Sequence, residues 1–318
     1  MTSITFAQDK AASPAATSSK PSPAQSSSIS KKDPAAAAGE SRGKQKTFSS
    51  TQDAANALYD AARNHDENAM LVILGPEAKD VVLWTQDPAE RKSDIDLFVQ
   101  KYGQMHRLVK EPDNETTLYI GAENWPMPIP LVQRGNEWYF DSNLGRQEIL
   151  YRRIGQNELE TIDTLHDLVD AENDFYSQSA GITGSTQYAQ KFDCDQGKHD
   201  GLYWPEGKNM EESPIGPYLA QASFGSPKHR PFRGYYFRIL TEQGPKAHGG
   251  AQKYVVNEKM TGGFAFVAFP AEYQHSGVKT FIVDQNGVVY EKDLGLQTLN
   301  IAKSMTAYNP DSSWTKVE

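Results

Sequence analysis

Cysteine is almost missing from this chain: Cys194 is the only one in 318 residues. A single thiol excludes an internal disulfide framework, a cysteine-only zinc site and a CxxC redox pair. Long hydrophobic runs are missing too. No window approaches the roughly 18 consecutive apolar residues of a membrane-spanning helix, and mean hydropathy is −0.64. Positive charge is in short supply, with 32 Lys and Arg against 41 Asp and Glu and a net charge of −9. That balance argues against nucleic acid as the main partner. The common catalytic signatures are absent: there is no GxGxxG, GxxxxGK[ST], GxSxG or HExxH. The seven histidines, at 65, 106, 166, 199, 229, 248 and 275, show no ligand-like pairing.

What is present divides the chain into three. Residues 1–47 hold 10 Ala, 10 Ser and 4 Pro and carry +4, which leaves −13 for residues 48–318. Such a segment cannot bury enough apolar surface to offset its ordering entropy, so it reads as a disordered Ala/Ser/Pro tether. Thr5-Phe6-Ala7 before Gln8 looks like the end of a signal peptide whose basic and apolar regions are not in the chain. The expectation is a longer, exported precursor and a periplasmic or secreted location.

Residues 48–150 open with helices. Ser50 is placed to cap an apolar series at Ala54, Leu58 and Ala61/Ala62, and a short helix over 68–74 ends at Gly75-Pro76. Ser93 then starts a third, in which Ile95, Phe98, Tyr102, Met105 and Val109 recur at helical spacing. Strand-rich segments follow at 116–121, 129–133 and 137–141, with Gly135-Asn136 as a turn. The prolines of Trp125-Pro-Met-Pro-Ile-Pro130 keep that stretch out of any central strand. Helices followed by strands imply α+β, with the helices on one face of a curved antiparallel sheet. The order resembles the cystatin-like and nuclear-transport-factor-like cone folds, which hold a pocket between helix and sheet. His106, read on the third helix beside its apolar stripe, is the candidate pocket residue and general base; the competing reading is a surface or satisfied histidine with no identifiable Asp partner.

Residues 151–318 begin with an amphipathic helix of about 25 residues, with Ile154, Leu159, Ile162, Leu165 and Val169 on its apolar side and Gly181 at its end. After an irregular stretch, strands are expected at 234–240, 263–269, 279–283 and 287–290, with a short one possible at 253–256. The Asn286-Gly287 hairpin signal joins the last two. One helix plus a four-stranded antiparallel meander is again α+β.

Two resemblances follow. Asn157-Glu-Leu-Glu-Thr-Ile-Asp-Thr-Leu165, Gly234–Phe237, Phe266–Pro270, Ser276–Phe281 and Asp284–Tyr290 together look like the globular head of bacterial type IV pilins and pseudopilins. The hydrophobic helix half that builds a pilus filament does not precede Asn157, so the resemblance implies a reused head and not a standard pilus subunit. From Phe48 to about Asp311 the chain also resembles the uncharacterised bacterial family catalogued as domain of unknown function 2950. The segments that carry this are Ile73-Leu-Gly-Pro76, Trp138-Tyr-Phe-Asp141, Glu148-Ile-Leu150, Arg152-Arg-Ile-Gly155, Gly262-Gly-Phe-Ala265 and Lys292-Asp-Leu-Gly295. That family brings no activity with it.

Other candidate sites are few. Asp193, Asp195 and Asp200 surround a Gly turn and offer the hard oxygens calcium prefers, so calcium is the metal expected if one binds; the competing reading is a solvated polar turn. Cys194 sits between two aspartates that disfavour its thiolate. Tyr203, Trp204 and Tyr218 lie in aromatic-proline segments that form a partner face or cover the core. The resulting expectation is a non-enzymatic binding or assembly module of the cell envelope with a protein partner. The alternative is a small-ligand carrier or enzyme using the pocket of the first domain.

Overall fold

The computed structural model describes residues 45–317, apart from 84, 113, 197, 206–211 and 226–228. The tether expected over 1–47 lies outside the described residues up to position 44. Gln45 and Lys46 are anchored: Gln45 Nε2 reaches the carbonyls of Leu74 (3.0 Å) and Phe140 (2.7 Å), and Lys46 N–H donates to Val72 O (2.9 Å). The described chain is α+β and divides into two compact units, one ending at Ile149 and the other starting at Leu150.

The first unit begins with α1, Thr51–Arg63, capped by the Ser50 hydroxyl, which accepts the Asp53 N–H at 3.0 Å. Its buried positions, Ala54, Leu58, Ala61 and Ala62, keep helical spacing. Helix α2, Glu67–Leu74, stops where Gly75 takes φ +95°. A 3-10 turn leads into α3, Lys79–Val82. Helix α4, Pro88–Gln104, both starts and ends before the stretch expected from the apolar period. Asp87 is the cap, accepting the Ala89 N–H at 2.8 Å, and Pro88 fills the first turn, where its missing N–H costs nothing. Met105 is extended, and His106–Lys110 form strand β1 instead of the last helical turn.

Strand β1 pairs along its length with β2, Thr116–Ile120. That ladder outweighs a helical period that Val109 would have continued. Strand β4, Leu131–Arg134, and β5, Glu137–Phe140, complete the order β1-β2-β4-β5, all antiparallel. Only Trp125–Pro126, strand β3, joins the ladder from the proline segment, against β2. Phe48 is bonded to the far side of β5 through Trp138. The core lies between helices and sheet, with Leu58, Phe98 and Tyr102 against Leu118, Leu131 and Phe140.

Helix α5 runs over Ser142–Thr183, 42 residues against the 25 expected. Gly145 and Gly155 made its start hard to read. Asp141 caps it, accepting from the Asn143 and Leu144 N–H groups (3.1 and 3.2 Å). Gly145 is a close-approach position, since a Cβ there would stand 2.5 Å from Ile129 Cγ1.

In the second unit, β6 (Tyr235–Leu240), β7 (Ala265–Pro270), β8 (Lys279–Asp284) and β9 (Val289–Asp293) form the meander, and β10 (Thr315–Lys316) adds a fifth strand beside β9. Strand β7 is buried at all six positions, as its continuous apolar run requires. Leu165, Leu168, Val169 and Phe175 of α5 join the β6–β9 side chains in one core. Gly287, at φ +74°, closes the β8–β9 turn with its N–H on Asp284 O at 2.9 Å.

Candidate binding cavity

The proline segment that leaves the ladder after Trp125–Pro126 shapes a cavity in the first unit. Met127 N–H still reaches Leu118 O (2.8 Å), but Pro128 and Pro130 have no N–H to donate. Residues 125–129 of this segment and the helices line a cavity of about 100 Å³. One wall is Trp125, Met127 and Ile129; opposite are Leu58 of α1 and Met70 and Leu74 of α2. Helix α3 adds Val81 and Val82, and α4 adds Ile95 and Phe98.

Polar groups enter from one place. Arg91 and Asp94, three apart on α4, complete the lining. Arg91 Nε donates to Glu67 Oε1 at 2.9 Å and Nη1 to Thr85 O at 2.8 Å. The pair is largely shielded, with Arg91 and Glu67 side chains 16% and 34% exposed. Asp94 keeps one carboxylate oxygen fully out of solvent.

His106 is not among the residues that line this cavity. It heads β1, exposed, with its ring stacked on Tyr102 at 3.9 Å and Nδ1 3.0 Å from Tyr102 O. The expectation of a helical His106 is corrected by the early end of α4.

The aspartates of the second unit sit among lysines. Lys191 Nζ bridges Asp195 (2.8 Å) and Asp200 (2.9 Å), and Lys198 Nζ adds a contact to Asp195 at 3.1 Å. Hydrogen bonds from Lys191 and then Lys198 hold the Asp195 carboxyl down at about 2. Asp193 bridges Tyr203 through backbone alone. Two ammonium groups, those of Lys191 and Lys198, thus contact the Asp195 and Asp200 carboxylates in this loop. Among the described residues no three His, Cys, Asp or Glu side chains gather as a metal site. Burial raises the Cys194 thiol, whose sulfur lies 3.1 Å from the Gly201 N–H.

The three aromatic candidates separate. Trp204 is core, 2% exposed and stacked on His199 at 4.7 Å. Tyr203 is half-buried against the same core. Tyr218, on α6 (Pro217–Ala220), is 76% exposed and is the one that faces solvent.

Sequence reasoning missed Arg91 and Asp94. Their signal was two charged residues four before Ile95 and Phe98, on the apolar side of α4. It missed Glu172 as well, a fully buried carboxyl on α5 whose Oε2 accepts the Ala189 N–H at 2.8 Å. Burial pushes this group well above its ordinary value.

The pattern of a family described as "Protein of unknown function (DUF2950)" matches residues 45–317. No curated protein matches the chain, and no solved structure does. No helix of the described residues is long and apolar enough to cross a membrane.

Proposed function

The chain belongs to the DUF2950 family, and from the geometry of its first unit we infer that it is a binding protein for a small apolar molecule. The single observation that supports this reading is the cavity bounded by α1–α4 and the Trp125–Ile129 wall, apolar except for Arg91 and Asp94. Apolar cavities of comparable size stay dry and take up benzene-sized molecules. Among the described residues the lining is aliphatic and aromatic except for Arg91 and Asp94, which favours a binding role.

A branched five-carbon alcohol tests it. Burying four or five methylene equivalents contributes about 4 kcal/mol, which corresponds to a Kd on the order of 1 mM. Titration of 3-methylbutanol is expected to shift the methyl resonances of Leu58, Met70 and Ile129 in a saturable way. Val81→Phe, which puts a ring into the cavity, is expected to abolish the shift. Non-saturable shifts, or equal saturation in Val81→Phe, would overturn the reading.

The envelope location and the protein partner expected from the sequence belong to the same proposal. They are supported by the composition of residues 1–47 and by the exposed Tyr218. Fractionation of the native host should recover the chain outside the cytoplasm, and exclusively cytoplasmic recovery would overturn that part.

A further inference from the structure

We propose that the second unit binds aryl carboxylates on the surface between β6 and the helix beside it, with one edge of the Arg238 guanidinium as the carboxylate fork. The site is separate from the cavity of the first unit and does not depend on it. The helix is α7, Thr298–Ser304, which packs on β7. Arg238 Nη1 donates to two carbonyls at its C-terminal end, those of Ala302 (2.7 Å) and Lys303 (2.6 Å). These are groups a helix end leaves without intrahelical partners, so the guanidinium is held in place. A guanidinium is a planar fork of five donors, and holding it by Nη1 leaves the edge made by Nε and Nη2. Among the described residues neither atom has a hydrogen-bond partner, and neither is withdrawn from solvent. No carboxylate raises the Arg238 guanidinium; burial alone acts on it, and lowers it.

The surroundings of that edge are aromatic and cationic. Tyr236 stands two residues before Arg238 on the same face of β6. Phe224 is fixed beside it, with its N–H on Phe237 O at 2.9 Å. The two half-buried rings meet edge to face at 5.4 Å, and Phe224 also packs on Phe269 of β7 at 5.3 Å. Exposed Lys303, whose carbonyl Arg238 holds, places Nζ 6.0 Å from the Phe224 ring centre. Two cations thus share one neighbourhood in a region, residues 48–318, that carries −13 overall. A carboxylate matches the Nε–Nη2 edge with two parallel hydrogen bonds. An aryl body adds edge-to-face or stacked contact with Phe224 and Tyr236. Inorganic phosphate can meet the charge but offers nothing to the rings.

The test compares benzoate, benzyl alcohol and inorganic phosphate on the full chain at pH 7, read at the Arg238 Nε–H resonance. Benzoate is expected to shift it in a saturable way and to bind at least about fivefold tighter than the other two. Arg238→Lys keeps the charge and loses the fork, and should weaken benzoate about fivefold as read at the Tyr236 ring. Lys303→Gln alters an exposed side chain and leaves the carbonyl that Arg238 holds. It should weaken benzoate about twofold, and it keeps the proposal testable if Arg238→Lys does not fold. Val81→Phe, which fills the cavity of the first unit, should leave the benzoate response unchanged, so the two sites stand or fall separately. Equal binding of benzoate and benzyl alcohol, tighter binding of phosphate, undiminished binding in Arg238→Lys or Lys303→Gln, or a wild-type Nε–H that does not respond overturns the carboxylate site.

Discussion

Replacing Gly277 by Ala is expected to destabilise the second unit by about 3 kcal/mol, a fall in melting temperature of roughly 6–12 °C for a unit of this size. A Cβ at Gly277 would overlap the Tyr235 hydroxyl, which is buried and cannot swing into solvent. That hydroxyl donates to Lys279 O at 2.9 Å. The backbone around it is stitched to α5: Val278 and Lys279 donate to Glu158 Oε1 (2.8 and 2.9 Å), and Asn157 Nδ2 donates to Ser276 O (2.8 Å). Neither side of the clash can yield without breaking a bond that a buried group needs. Burial, with the Glu158 charge adding to it, already pushes the Tyr235 hydroxyl far above its ordinary value, so it stays a donor at any working pH. Tyr235→Phe removes the overlapped oxygen. Alone it should cost about 1 kcal/mol for the lost hydrogen bond; in the Gly277→Ala background it should restore only part of the stability, because the ring atoms Cζ and Cε2 remain 2.5 and 2.6 Å from the added Cβ. Additive effects in this double-mutant cycle would show that the contact does not decide the cost.

The Asn157-Glu158 pair shows how far the sequence could be read. Its place on an amphipathic helix was legible from the apolar period. Its work was not, because its partners lie about 120 residues away and are backbone groups, which any sequence supplies. Class and element order followed from periodicity and turn residues, and so did the Ser50 cap. Boundaries failed where two local rules competed. In α4 the spacing of Tyr102, Met105 and Val109 favours helix, yet His106–Lys110 gains a full ladder with β2. At the start of α5 two glycines argue against helix, yet Gly145 is required by its approach to Ile129. The cavity was beyond reach for a different reason. The proline segment predicted a gap in the ladder, but the residues opposite that gap come from four helices, and no spacing rule joins them. The apolar period points to His106, which is titratable and near that stripe; the charged residues that border the space, Arg91 and Asp94, lie on α4, whereas His106 lies beyond its end on β1.

The buried carboxyl of Glu172 carries the last expectation: between pH 5 and 8 the stability of the wild type should fall with rising pH, relative to Glu172→Gln. Glu172 is fully buried on α5, its Oε2 accepts the Ala189 N–H, and its Oε1 finds no hydrogen-bond partner among the described residues. Tyr188, stacked on Tyr176 at 4.4 Å, lies beside it, and burial raises the Tyr188 hydroxyl. Among the described residues no cation offsets the charge, so burial raises the folded-state value well above the ordinary 4.5. The sign follows from proton binding. Below the unfolded value both states are protonated and the contribution to stability is complete. Above it the unfolded chain releases the proton while the folded chain keeps it, and stability drops by about 1.4 kcal/mol for each pH unit until the folded group also ionises. Asp195, held down at about 2, titrates in acid and leaves this window clear. Glutamine keeps the acceptor for Ala189 and has nothing to ionise. Its variant should match the wild type or fall about 1 kcal/mol below it near pH 4.5, where a protonated Glu172 is the better fit, and overtake it as the pH rises. Denaturant unfolding of both proteins at several pH values gives the difference directly, with the histidines and surface carboxylates cancelling between them. A difference that stays flat from pH 5 to 8 would mean that the folded chain holds Glu172 ionised. The segment Gln187–Ala189 is the place to look for the consequence. Its N–H groups are held in turn by Ser179 Oγ, Met260 O and Glu172 Oε2 at 2.9, 2.8 and 2.8 Å. Ionisation strengthens the last of these bonds while stranding a charge in the core, so hydrogen exchange at Ala189 should report whether local opening or global unfolding relieves it.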